Sequence, residues 1–125
     1  MFEISVTRTF CASHQVRFAG GGLEPLHGHN WTVTVSAGAS DLDADGFVMD
    51  FHRLEQQLDA ILSPLNNGHL NDSELLAGAN PRAEGVCRAI GRAIRIDPPA
   101  RLLFVSITEA PGCVATYRPP GDLPG

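Results

Sequence analysis

The chain has little of what marks several common functional classes. Nine Lys and Arg residues stand against 14 acidic ones, giving a formal charge of −5. The basic residues are scattered, with no run or stripe to follow a phosphate backbone, which argues against nucleic-acid binding. No apolar stretch approaches the roughly 20 residues that cross a bilayer. The opening "MFEISVTRTF" has no basic segment followed by an apolar one, so neither a membrane span nor a secretory leader is expected. The three cysteines, Cys11, Cys87 and Cys113, are an odd number without paired spacing. They suit reduced thiols in a cytoplasmic protein better than a disulfide framework.

What is present fits a soluble globular chain, 43% hydrophobic and 18% charged. Its 125 residues suit one domain over 1–125, a size that buries roughly two-thirds of its extended surface. Residues 2 to 14 alternate, with Phe2, Ile4, Val6, Phe10, Ala12 and His14 on one parity and Glu3, Ser5, Thr7 and Thr9 on the other. A half-buried strand is expected there. After a Gly-rich loop, Trp31, Val33, Val35 and Ala37 predict a second strand. From Phe51 the period becomes helical through Leu54, Leu58, Ile61, Leu62 and Leu65, with Asp50 as N-cap and Pro64 at the end. Asn80 and Pro81 read as the cap and first turn of a second helix carrying Val86, Cys87, Ile90 and Ile94. Leu103, Val105, Ile107 and Glu109 then alternate in a third strand, and a fourth runs from about Cys113 to Tyr117. The tail 118–125, "RPPGDLPG", reads as a loose end. The order predicts an α+β fold, a four-stranded antiparallel sheet with both helices on one face.

The candidate chemistry sits at strand ends. In "EPLHGHNWTVTV" His27 and His29 share a parity and point the same way, with Gly28 expected to leave room between them. His14 ends the preceding strand, so pairing of the two strands brings three imidazoles together. Three neutral nitrogens with an open fourth position are the pattern of catalytic zinc. Glu24, three residues before His27, is a candidate base. Glu109 lies on the apolar parity of its strand and needs a partner, either a heterocycle's ring nitrogen and amino group or a cation such as Arg8 or Arg53. His69 lies in a polar loop of the kind that lines sites, whereas His52, at a helix start, is expected to be solvated.

"FCASH", "HGHNW", "GFVMDF", the later "LND", the Asn80–Pro81 helix start and "SITEAPG" with Tyr117 together resemble the 6-pyruvoyltetrahydropterin synthase and 6-carboxytetrahydropterin synthase family, from Met1 to about Tyr117. The resemblance implies a tunnelling fold (T-fold) whose trimers close into a barrel and stack as a homohexamer, with sites at subunit interfaces. It implies His14, His27 and His29 as zinc ligands, Glu109 as the anchor of the pterin ring, and 7,8-dihydroneopterin triphosphate as substrate.

The sequence departs from the family pattern at three points. Leu23 stands where the usual base is a cysteine, and Asn66 and Asn67 stand where an aspartate and a histidine are usual. Carboxamides cannot relay a proton as imidazole does. Glu24 is therefore expected to replace the cysteine, as in a glutamate-type variant of the family, and His69 to supply the lost imidazole. Cys11, on the parity opposite His14, reads as a packed thiol. The resemblance implies a zinc-dependent lyase of the 6-carboxytetrahydropterin synthase kind, on the queuosine or 7-deazaguanine route. A glutamate-type enzyme releasing 6-hydroxymethyl-7,8-dihydropterin for folate synthesis is the alternative, and a non-catalytic pterin-binding protein the third reading.

Overall fold

The computed structural model describes residues 1–120. Two long strands, β1 (Phe2–His14) and β2 (His27–Ala39), pair antiparallel from Phe2 opposite Ala39 to His14 opposite His27. Helix α1 (Phe51–Leu62) follows, then a two-residue strand β3 (Gly68–His69), helix α2 (Ala83–Ala93), and strands β4 (Arg101–Ala110) and β5 (Cys113–Tyr117). The sheet order is β3-β1-β2-β4-β5. Four antiparallel strands stand as expected, but among the described residues the sheet has five strands and is mixed. The added β3 runs parallel to β1, pairing Gly68 with Ala12 and His69 with Ser13. Two residues are too few to carry a period, so alternation could not reveal it.

The parity of each strand explains the layers. Val6, Phe10, Trp31, Val33, Val35, Val105 and Ile107 are buried, and they pack with Leu54, Leu58 and Leu62 of α1 and Val86, Cys87 and Ile90 of α2. Both helices therefore cover one face, while hydroxyl side chains such as Thr7, Thr9 and Thr34 line the other. Helix α2 comes so close to β5 that a Cβ on Gly91 would lie 2.6 Å from the Tyr117 ring.

Asp50 caps α1 as expected, its carboxylate accepting from the His52 N–H at 2.9 Å. Helix α2 begins differently. Arg82 occupies the N-cap without a side-chain hydrogen bond, and the Asn80 carboxamide turns instead to the backbone of Arg17. Cys11 is exposed rather than packed, because its parity faces away from the helices. Cys87 is the buried thiol, and burial pushes its pKa up. Of the expected loose tail, Arg118 lies 5.1 Å over the Phe104 ring, and residues 121–125 fall outside the described residues.

Candidate metal centre

The β1–β2 register builds the site. His14 and His27 are direct cross-strand partners, and His29 lies opposite Ala12 one pleat further in. All three imidazoles stand on the helix-covered face over Trp31, whose ring centroid is 4.9 Å from that of His14 and 5.3 Å from that of His29. The indole is fully buried and donates to the Ala12 carbonyl at 3.1 Å, which gives the cluster a fixed floor. Gly28 does not make the space. A Cβ there would meet the Ala12 carbonyl at an ordinary 3.5 Å, because it points to the opposite face.

Tautomers follow from the outer partners. His14 Nδ1 lies 2.8 Å from the Pro81 carbonyl and His27 Nδ1 2.8 Å from the Pro25 carbonyl. A carbonyl only accepts, so both Nδ1 atoms carry hydrogen and both Nε2 atoms present lone pairs in the neutral rings. Those Nε2 atoms face each other at 3.0 Å. Two lone pairs at that distance repel unless a proton or a cation lies between them. His29 Nε2 points to the same place, buried and without a hydrogen-bond partner among the described residues. Burial pushes the His29 pKa below its ordinary value; Glu109 opposes this and His14 and His27 reinforce it. The ring is thereby held in its ligating form.

Glu109 completes the group, its Oε1 3.2 Å from His14 Nε2 and 3.4 Å from His29 Nε2. The four donor atoms of His14, His27, His29 and Glu109 lie within 4.8 Å of one another, a set that can hold a metal ion. Three converging nitrogens, one of them orphaned, fit a divalent cation of the zinc type. The β4–β5 register shifts between Thr108 and Ala110, which leaves Glu109 unpaired in a bulge, on the parity of the buried Val105 and Ile107. Neither arginine considered as its partner serves it. Arg8 pairs with Glu55 and Asp59, and Arg53 with Asp97. Glu24 approaches from the β1–β2 loop, its Oε1 3.8 Å from both His14 Nε2 and His27 Nε2.

Beside these groups is a cleft of about 180 Å³ lined by Val16, Phe18, Glu24, Arg82, Glu84 and Glu109. Larger concavities, of about 350, 430 and 520 Å³, lie elsewhere, and none of the three is lined by Glu24 or Glu109. A family model described as 6-pyruvoyl tetrahydropterin synthase matches residues 3–120. The chain belongs to the 6-pyruvoyl tetrahydropterin synthase family.

Within that family, 6-carboxy-5,6,7,8-tetrahydropterin synthase of Bacillus subtilis (strain 168) is 25% identical over 125 residues, covering 94% of this chain and 86% of the relative. The 6-pyruvoyl tetrahydropterin synthase of Caenorhabditis elegans superposes with a TM-score of 0.81 at 20% identity, over 94% of this chain and 95% of that one. A Plasmodium vivax 6-pyruvoyltetrahydropterin synthase, solved as a catalytic-residue mutant with glutamate changed to alanine, gives a TM-score of 0.68 at 19% identity over 93% and 96% of the two chains. At these identities the structural likenesses speak for the fold.

The positions that depart from the usual family pattern have structural partners. The Asn66 carboxamide oxygen accepts from the Cys11 N–H at 2.9 Å, and the Asn67 N–H donates to the Cys11 carbonyl at 2.6 Å. Asn67 does so at φ 61°, a conformation asparagine tolerates better than most residues. Leu23 is exposed and only bridges to Arg17. His69 is not gathered into the cluster. It stands at the sheet edge with Nδ1 2.9 Å from the Ser13 hydroxyl, and Ser13 has the parity opposite His14. His52 is solvated as expected, with a side chain 83% exposed. Sequence reasoning missed the Trp31 floor and the bulge at Glu109, since both depend on strand register.

Proposed function

We propose that the chain is a zinc-dependent pterin lyase acting on 7,8-dihydroneopterin triphosphate, of the 6-carboxy-5,6,7,8-tetrahydropterin synthase kind. The observation that carries this reading is the convergence of three imidazole Nε2 atoms with the carboxylates of Glu24 and Glu109, the two carboxylates also lining the small cleft beside them. The Bacillus subtilis relative supports the product.

In this reading His14, His27 and His29 hold zinc, with outer hydrogen bonds from His14 and His27 fixing their rings. Bound there, zinc supplies Lewis-acid polarisation of the substrate's side-chain hydroxyls. The Glu109 carboxylate accepts from the pterin ring N–H and amino group, a charge-assisted pair that fixes the ring against the cleft. Glu24 accepts the proton removed from the substrate side chain, as a carboxylate close to the ligating atoms can. His69 returns a proton, reaching the reaction from a neighbouring copy in a homohexamer built as a dimer of trimers. The hydroxyl-lined face left uncovered by the helices supports such closure. The enzyme works in the cytoplasm, on the queuosine or 7-deazaguanine route.

A second reading has its own support. Glu24 stands beside the imidazoles, and the Plasmodium vivax relative has a glutamate as catalytic residue. It favours release of 6-hydroxymethyl-7,8-dihydropterin for folate synthesis.

Mass spectrometry of products from zinc-loaded protein and 7,8-dihydroneopterin triphosphate separates the readings. Carboxytetrahydropterin with acetaldehyde is the expected outcome. Hydroxymethyldihydropterin establishes the second reading, and no turnover with zinc bound leaves a pterin-binding protein.

A further inference from the structure

Beyond His14 the chain leaves the sheet, yet residues 15 to 17 keep the hydrogen-bond pattern of a strand. Gln15 donates its N–H to Asn71 Oδ1 at 2.8 Å and accepts from Asn71 Nδ2 at 2.7 Å. Arg17 does the same with Asn80, at 2.8 Å to Oδ1 and 2.9 Å from Nδ2. Each carboxamide presents one donor and one acceptor, the two groups that a paired strand residue would present. Successive residues of an extended chain turn their N–H and C=O to opposite edges. Gln15 and Arg17 therefore face the two asparagines, and Val16 faces the other way.

On that other edge is Glu24. The Val16 N–H donates to Glu24 Oε1 at 2.8 Å, and the Val16 carbonyl accepts from the Glu24 N–H at 3.0 Å. The oxygen that Val16 holds is the same Oε1 that lies 3.8 Å from His14 and His27. Gln15 Nε2 adds a bond to the Glu24 carbonyl at 3.2 Å. Asn80 is joined to Pro81, whose carbonyl orients His14. A turn about the axis of residues 15–17 would swing the Val16 N–H away and release the carboxylate.

We propose that Asn71 and Asn80 are positioning residues: their carboxamides stand in for an absent strand, hold residues 15–17 extended and so aim Glu24 at the imidazoles through the Val16 N–H. The proposal deepens the reading of Glu24 as the base and rests on it for its kinetic part. Neither asparagine touches the cluster itself, so each acts at one remove.

Amide hydrogen exchange and kinetics test it together on the zinc-loaded full chain, in Asn71→Ala, Asn80→Ala and Glu24→Gln and in each double variant with Glu24→Gln. Either asparagine variant is expected to lower Val16 N–H protection roughly tenfold or more while β1 residues before Cys11 keep theirs. It is expected to lower kcat on the order of 10- to 100-fold at unchanged zinc content. In the Glu24→Gln background the same substitutions should cost little more, because the group they aim is gone. A purely structural role would give losses that multiply in the double variants, or unchanged Val16 protection; either overturns the proposal. Should Asn80→Ala fail to fold, Asn71→Ala carries the test, since it removes the partner of Gln15 alone. Absence of turnover in the unaltered protein would sink the lyase reading, while Val16 protection would still decide the positioning role.

Discussion

The two ends of the β1–β2 pair follow one pleat and end in different chemistry. At one end Val6, Val35 and Ala37 continue the buried parity as hydrocarbon against the helices. At the other the same parity carries His14, His27 and His29, and His14 is as buried as the aliphatic residues, at 1% exposure. Burial satisfies the first end, whereas at the second it strands nitrogen lone pairs. His29 Nε2 has no hydrogen-bond partner among the described residues, and two further Nε2 atoms meet at 3.0 Å. The pleat decides which residues converge. The atoms it gathers decide whether the convergence is a core or a ligand site.

Substitutions break that comparison in opposite ways. His14→Ala, His27→Ala or His29→Ala should abolish stoichiometric zinc binding. The loss of affinity should exceed the roughly 100-fold that outer partners of a metal site command, with the metal-free melting temperature little changed for the more exposed His27 and His29. Leu58→Ala, in the aliphatic core, should do the reverse. It should cost about 2–5 kcal/mol of unfolding free energy while the folded fraction keeps its zinc. Zinc titration and denaturant melts on the same samples check both.

Glu24→Gln sharpens the contrast between holding the metal and using it. Turnover should fall by roughly 100-fold or more at full zinc content. Unchanged turnover would remove Glu24 from the chemistry. Glu109→Gln comes next. If Glu109 anchors the ring rather than the metal, KM should rise roughly 10- to 100-fold, the worth of a charge-assisted hydrogen bond, and zinc should stay. Loss of zinc would make Glu109 a ligand.

Much of this was legible in sequence because it rests on short periods. Alternation placed His14, His27 and His29 on one face, and the Asp50 cap and the leucine spacing placed α1. What was not legible depends on tertiary partners. Asn80 reads as a helix cap beside Pro81, but its carboxamide finds better use across the chain at Arg17. Cys11 reads as packed only if its face of the sheet is covered, and within one chain it is exposed. Asn66 and Asn67 look like lost catalysts, and the structure shows them closing the edge of β1 at Cys11. Alternation set the face of Glu109, but no local pattern encodes the register shift that leaves it in a bulge.

The smallest expected effect is on pH dependence. Burial lowers the His29 pKa, so the folded metal-free chain binds fewer protons than the unfolded chain below about pH 6.5. Its contribution to stability is present above that value and is lost as pH falls through the lower folded value. Zinc content should decline in the same direction, since each imidazole ligates only when neutral. Metal analysis after equilibration from pH 8 down to pH 4 follows it, and full retention at pH 4 would contradict a three-imidazole site.

The most direct test of the metal centre is zinc K-edge X-ray absorption on the zinc-loaded protein. The expected spectrum has three imidazole nitrogens at about 2.0 Å and a light-atom fourth neighbour. Sulfur scattering near 2.3 Å, or no stoichiometric zinc, would mean that the three histidines are not the ligand set.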